Sequence, residues 1–160
     1  MLVQFKVKNF RSFGEETTFS MVAADENPLD ELGEAYQHPS HLLDTPDPDV
    51  KLLRGAAIYG ANASGKSNLV KAISFLKEIV GRDYNPEKGD NIPNNHFALD
   101  FERQLEMEVT FLLNQSVYVY SFGIQSNRIT FESLRMDDEV LFNRVEQEFE
   151  FSELIQSTNR

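Results

Sequence analysis

Residues 60–67 read Gly-Ala-Asn-Ala-Ser-Gly-Lys-Ser, a full G-x-x-x-x-G-K-[ST] pattern, and their types suit gripping a polyphosphate. Such an anion needs many hydrogen-bond donors converging on a small volume. Backbone amides supply them only where the chain curls without side chains in the way, hence Gly60 and Gly65. A helix opening near Gly65 would aim its unpaired amides and the positive end of its dipole at the same charge. Lys66 is expected to reach the terminal phosphates as a flexible point charge and to be the catalytic cation. The Ser67 hydroxyl is expected to ligate Mg²⁺, which otherwise keeps mostly water and phosphate oxygens. Ala61, Asn62, Ala63, Ser64 and Asn68 complete the expected contact set.

The motif carries meaning only between a strand and a helix. Upstream, Ala56-Ala57-Ile58-Tyr59 has the look of a short buried strand, the end of a run over Lys51–Tyr59. Downstream, Leu69, Ile73, Leu76 and Val80 recur at helical spacing, predicting a helix over Gly65–Val80 with Gly81 as its C-cap. At the N-terminus, Leu2–Asn9 alternates as a strand, Phe10–Gly14 reads as a tight connection, and Thr17–Val22 as an antiparallel partner. Residues 25–50 hold four prolines and read as a variable loop with a short helix near Leu29–Tyr36. Residues 82–98 read as a polar linker. The apolar period then switches to two over Leu105–Leu113, Val117–Gln125, Arg128–Met136, Glu139–Asn143 and Glu148–Phe151. Turn residues such as Asn114-Gln115 and Ser126-Asn127 separate these runs, which predicts an antiparallel meander. One nucleotide-binding lobe spanning 1–160 is the expected organisation: α/β, a mixed sheet with an antiparallel β-subdomain beside the phosphate-loop core.

At 160 residues the chain can build one sizeable core, burying about 70% of its unfolded surface. The absence of cysteine excludes disulfides and thiolate metal sites and fits a reducing cytosol. No run approaches the roughly 18 apolar residues of a membrane helix, so a cytoplasmic location is expected. A net charge of −11 argues against general nucleic-acid binding by this segment. Lys6, Lys8 and Arg11 form the only N-terminal basic cluster, and Lys6 and Lys8 share one strand face, as on a solvated edge.

Other chemistry-bearing residues read as structural. His38 and His41, with Asp44 beyond, have metal-like spacing, but Pro39 places them in a loop without further ligands. His96 reads as a packed or exposed loop residue. Asp137-Asp138-Glu139 reads as a hairpin tip, and Tyr118, Tyr120 and Phe122 as core rather than a base-stacking platform.

Three features together resemble the N-terminal lobe of ABC-type ATPase heads of the SMC, RecF and OLD kind. They are a first strand running into Asn9-Phe10-Arg11-Ser12-Phe13, Asn62 within Gly60–Ser67, and the continuation Asn68-Leu69-Val70-Lys71-Ala72-Ile73. The chain looks closest to stand-alone AAA-type ATPases of prokaryotic phage-defence and abortive-infection operons. The resemblance implies that Gly60, Asn62, Ser64, Gly65, Lys66 and Ser67 are Walker A contacts for ATP and Mg²⁺. It implies also that Arg11 and Ser12 lie near the phosphates. It further implies a homodimer closing head to tail around ATP, with an effector protein or DNA engaged through other regions. A glutamine-loop ligand, a signature segment and a Walker B strand are not legible here. Gln125 and Gln147 match the first by type alone, so these elements are expected beyond residue 160. Alone, the chain is expected to bind ATP with little turnover. The sequence leaves ATP and GTP both open, and the lack of a GTPase-style N-K-x-D element favours the ATP reading. The rival readings are a non-hydrolysing ATP sensor or scaffold, and a small-molecule kinase. The kinase would need an Arg-rich lid where 82–104 offers only Arg82 and Arg103.

Overall fold

The computed structural model describes residues 1–24, 42–81, 92, 93, 95–97, 99, 100 and 102–158. The short helix expected over Leu29–Tyr36, the pair His38 and His41, and Arg82 lie outside the described residues.

Alternation at the N-terminus builds β1 (Leu2–Lys8), which buries Phe5 and Val7 on one face and sets Lys6 and Lys8 on the other. Its neighbours are β2 (Thr17–Ser20) and, from far along the chain, β5 (Leu105–Leu113). The meander continues through β6 (Ser116–Gln125), β7 (Arg128–Met136), β8 (Glu139–Val145) and β9 (Glu148–Phe151). The result is a seven-stranded antiparallel sheet in the order β2-β1-β5-β6-β7-β8-β9. The turns follow from residues that tolerate the left-handed region: both Asn114 and Gln115, then both Ser126 and Asn127, have positive φ. That geometry matches the twist of the strands they join.

One helix, α1 (Lys66–Gly81), lies on the apolar face of this sheet. Its Ala72, Phe75, Leu76 and Ile79 share a core with Phe5, Val7, Phe10, Leu105, Met107, Phe122 and Ile124. A short helix, α2 (Glu153–Thr158), follows β9. A two-stranded antiparallel unit, β3 (Leu42–Asp44) with β4 (Lys51–Leu53), docks beside β2 through the Val22–Leu52 bridge and a hydrogen bond from Leu53 N to Met21 O. Among the described residues no helix is long and apolar enough to cross a membrane.

Five expectations need correction. The strand of Lys51–Tyr59 stops at Leu53. Residues 55–61 run on without regular structure, and Ile58 and Tyr59 are exposed, because no described strand hydrogen-bonds alongside them. For the same reason the sheets contain no parallel pair among the described strands, so the mixed sheet is antiparallel here. Gly81 is the last helical residue and its φ is not positive, so it is not a left-handed cap. Lys6 and Lys8 sit on an interior strand and pair across it with Glu108 (2.8 Å) and Glu106 (3.6 Å). Opposite charges directly across a ladder place them there, not on an edge. The 82–98 linker is also in part structural: Ile92 and His96 are buried, and His96 bridges Phe10.

Tyr120 and Phe122 are buried and Tyr118 stacks on Phe111 with ring centroids 5.2 Å apart, as the core reading requires. An open groove of about 870 Å³ separates α1 from β6–β8, with Tyr120, Leu134 and Phe142 in its floor. There the Tyr120 hydroxyl donates to Glu132 Oε1 at 2.7 Å, and Arg144 Nη1 meets Glu132 Oε2 at 3.3 Å. Burial, and then the hydrogen bond to Glu132, push the Tyr120 hydroxyl far above its ordinary titration range. Below about pH 10 the group is protonated in folded and unfolded chains alike and has no effect on pH dependence. Above that, the unfolded chain releases the proton and the native one keeps it. Stability should therefore fall by up to about 1.4 kcal/mol per pH unit from this group alone. Denaturant unfolding between pH 9 and 11 should show a shallower alkaline loss in Tyr120→Phe; identical slopes would contradict the assignment.

Candidate functional site

The loop predicted to hold phosphate connects the exposed 55–61 run to the first turn of α1. Gly60–Ser64 are exposed, while Lys66 and Asn68 are half-buried. The chain curls through a hydrogen bond from Ser64 N to Ala61 O (3.3 Å), with Ala63 at φ 65° and Gly65 at φ 94°. Only glycine adopts the Gly65 conformation without strain. A Cβ there would meet Ser12 Oγ at 3.4 Å, an ordinary contact, so the backbone conformation and not space is what favours glycine. At Gly60 a Cβ would lie 2.9 Å from Ser64 Oγ, closer than real side chains tolerate.

Helix α1 opens with Asn68 N and Leu69 N both donating to Gly65 O, at 2.9 and 3.1 Å. The amides of Gly65, Lys66 and Ser67 are left without a backbone acceptor among the described residues. No acidic side chain occupies the first turn, so the positive end of the helix is uncompensated. Lys66 folds back over the loop, its ammonium donating to Gly60 O (2.7 Å), Ala61 O (2.6 Å) and Ser64 Oγ (3.4 Å). It points away from the apolar core. Ser67 is exposed at the helix start, and Asn62 is exposed at the loop crest.

Against this loop stands the N-terminal hairpin tip. Phe10 and Phe13 exchange backbone hydrogen bonds of 2.8 Å in each direction, which makes Arg11 and Ser12 a two-residue turn with Arg11 at φ 52°. Phe10 is fully buried against Phe75, ring centroids 5.6 Å apart, and anchors the turn in the core. Arg11 N donates to Asn95 O at 2.8 Å, and Phe97 N donates to Asn9 O. Asn9, buried and at φ 52°, donates its side-chain amide to Asp100 O and Arg103 O. Arg103 in turn holds Glu15 through two hydrogen bonds of 2.9 and 3.3 Å, which keeps the Glu15 carboxyl below its usual titration range. The tip meets α1 directly: Asn68 Nδ2 donates to Ser12 Oγ at 2.8 Å, and the Phe13 ring lies against Gly65. The Arg11 guanidinium sits 5.7 Å from the centre of the Phe10 ring and contacts no carboxylate among the described residues.

The fold thus brings Ser12 and Phe13 of the hairpin tip against Gly65 and Asn68, although some fifty residues separate the two segments, while the neighbouring Arg11 lays its guanidinium over the Phe10 ring. Phe13, named by the sequence only as part of the Asn9–Phe13 segment, and the backbone of Asn95 shape the same corner; Asn95 carried no sequence signal, since a loop asparagine is common anywhere. The remaining candidates lie elsewhere. Gln125 donates to Glu102 O at the end of β6, Gln147 is in the β8–β9 turn, and His96 Nε2 lies 3.3 Å from Ile124 O. Asp137 is at a hairpin tip, where its Oδ1 accepts from Val117 N. Among the described residues no cluster of His, Asp and Glu is arranged to hold a metal ion.

A search of curated proteins gives no match. A family model does match, over residues 56–158, taking in the loop, α1 and the meander that packs with it. Covering well over half of the sequence, the match agrees with the geometry, and this protein belongs to the family described as "AAA domain, putative AbiEii toxin, Type IV TA system", a P-loop ATPase-like domain.

Proposed function

We propose that the chain is the ATP-binding lobe of an ABC-like ATPase, with Gly60–Ser67 as its phosphate cradle. The observation that carries this is the corner itself. The amides of Gly65, Lys66 and Ser67 have no acceptor among the described residues, and the Lys66 ammonium lies over the same loop with no carboxylate among their described contacts. A cationic, amide-rich loop at a helix N-terminus is suited to a polyphosphate. In this reading Lys66 leaves the Gly60 and Ala61 carbonyls for the terminal phosphates. Arg11 adds a second cation from the hairpin tip, and the exposed Ser67 hydroxyl would hold Mg²⁺. The ion would supply charge neutralisation between phosphate oxygens.

Turnover is a separate matter. Among the described residues no carboxylate is hydrogen-bonded to the loop, and nothing there would orient an attacking water. The isolated chain should therefore bind Mg-ATP and hydrolyse it slowly. Hydrolysis would belong to an assembly in which two such lobes close on the nucleotide, as a switch in antiviral defence or DNA maintenance. Calorimetric titration with Mg-ATP, paired with a phosphate-release assay without added acceptor, tests this. Saturable binding with slow release supports the proposal. Absence of binding at millimolar nucleotide contradicts it, and turnover only with an added acceptor would favour a kinase.

A further inference from the structure

We infer that the Asn68–Ser12 hydrogen bond is a positioning link that holds the hairpin tip carrying Arg11 against the first turn of α1; this rests on the nucleotide-binding reading above. Ser12 and Asn68 are both expected phosphate-site residues by sequence, yet their polar groups engage each other: Nδ2 donates to Oγ at 2.8 Å. The hairpin tip is internally rigid because Phe10 and Phe13 close it with two backbone bonds, and its base is fixed by buried Phe10 and by Arg11 N bonding Asn95 O. Among the described residues one side-chain hydrogen bond joins the tip to α1, the one from Asn68 to Ser12. The Phe10 ring on Phe75 and the Phe13 ring beside Gly65 add nonpolar, non-directional packing at the same junction. Because Asn68 belongs to the first turn of α1, the same turn whose amides face the phosphate site, the link ties the position of Arg11 to the anion-binding amides. Arg11 itself meets no acidic group among the described residues, so its guanidinium is available to a phosphate. A cation held in place before binding loses less freedom on binding than one that must be ordered.

The prediction is a loss routed through Arg11. Ser12→Ala and Asn68→Ala should each weaken Mg-ATP binding by about three- to ten-fold, the range for one hydrogen bond. Combining them should add little. In an Arg11→Ala background neither should have further effect, and Ser12→Thr, which retains the hydroxyl acceptor, should recover most of the loss. A merely structural role would persist in the Arg11→Ala background. Titrations of these variants beside wild type and Lys66→Ala separate the possibilities. If wild type binds and Lys66→Ala weakens binding, but Ser12→Ala and Asn68→Ala match wild type or act undiminished without Arg11, the link is wrong and the site stands. If wild type does not bind Mg-ATP, the site reading fails and the link's role falls with it.

Discussion

Replacing Lys66 with alanine should weaken Mg-ATP binding by about ten- to a hundred-fold while leaving the fold unchanged. The size follows from the roughly 1.5–3 kcal/mol carried by a hydrogen bond to a charged group. The selectivity follows from where the side chain sits. Among the described residues its ammonium donates only to Gly60 O, Ala61 O and Ser64 Oγ, all within the loop, and it takes no part in the core formed by Phe75, Leu76 and Ile79 with the sheet. Those carbonyls lie in exposed backbone that water can reach after the substitution. Thermal unfolding should therefore be nearly superimposable on wild type while the titration collapses. A variant that binds as tightly as wild type would show that this ammonium does not meet the phosphates.

The second large effect is expected at Phe10. Alanine there should cost about 3–5 kcal/mol of stability, as for other fully buried aromatic side chains, and should weaken nucleotide binding as well. Phe10 is fully buried, tilts against Phe75 on α1, underlies the Arg11 guanidinium and forms the base of the hairpin. Its loss opens a cavity where the N-terminal turn, α1 and the His96 segment meet. Phe10→Leu should recover part of the stability, because it refills most of the volume. Denaturant unfolding of the two variants checks this, and wild-type stability in Phe10→Ala would mean that the hairpin is not anchored through this ring.

What could be read from the sequence was local. The phosphate loop is eight adjacent residues followed by a helical period, and Gly65 does adopt the positive φ that its type allows. The meander is legible for the same reason: alternation and turn pairs such as Asn114-Gln115 are near-neighbour signals. Non-local pairing was not legible. Nothing near Lys6 and Lys8 shows that β5, about a hundred residues later, will lie beside them and supply Glu108 and Glu106. The packing of Ile92 and His96 against the first hairpin was hidden in the same way, beneath a polar, proline-containing composition. Ala56–Tyr59 fails in the opposite sense. Its apolar pattern is that of a strand, but a strand exists only through its neighbours, and none is hydrogen-bonded to it among the described residues. At the site, the resemblance placed Arg11 and Ser12 near the phosphates. The bond from Asn68 to Ser12, across 56 residues, had no signature of its own.

The most direct test of the phosphate cradle is a titration of the isotopically labelled protein with Mg-ATP, followed by backbone amide NMR. Saturable shifts should be largest at Gly60–Asn68, with a second set at Arg11 and Ser12, and adenosine without phosphates should leave both sets nearly unmoved. Shifts confined to β7–β9, or equal responses to adenosine and ATP, would place the ligand elsewhere and contradict the account.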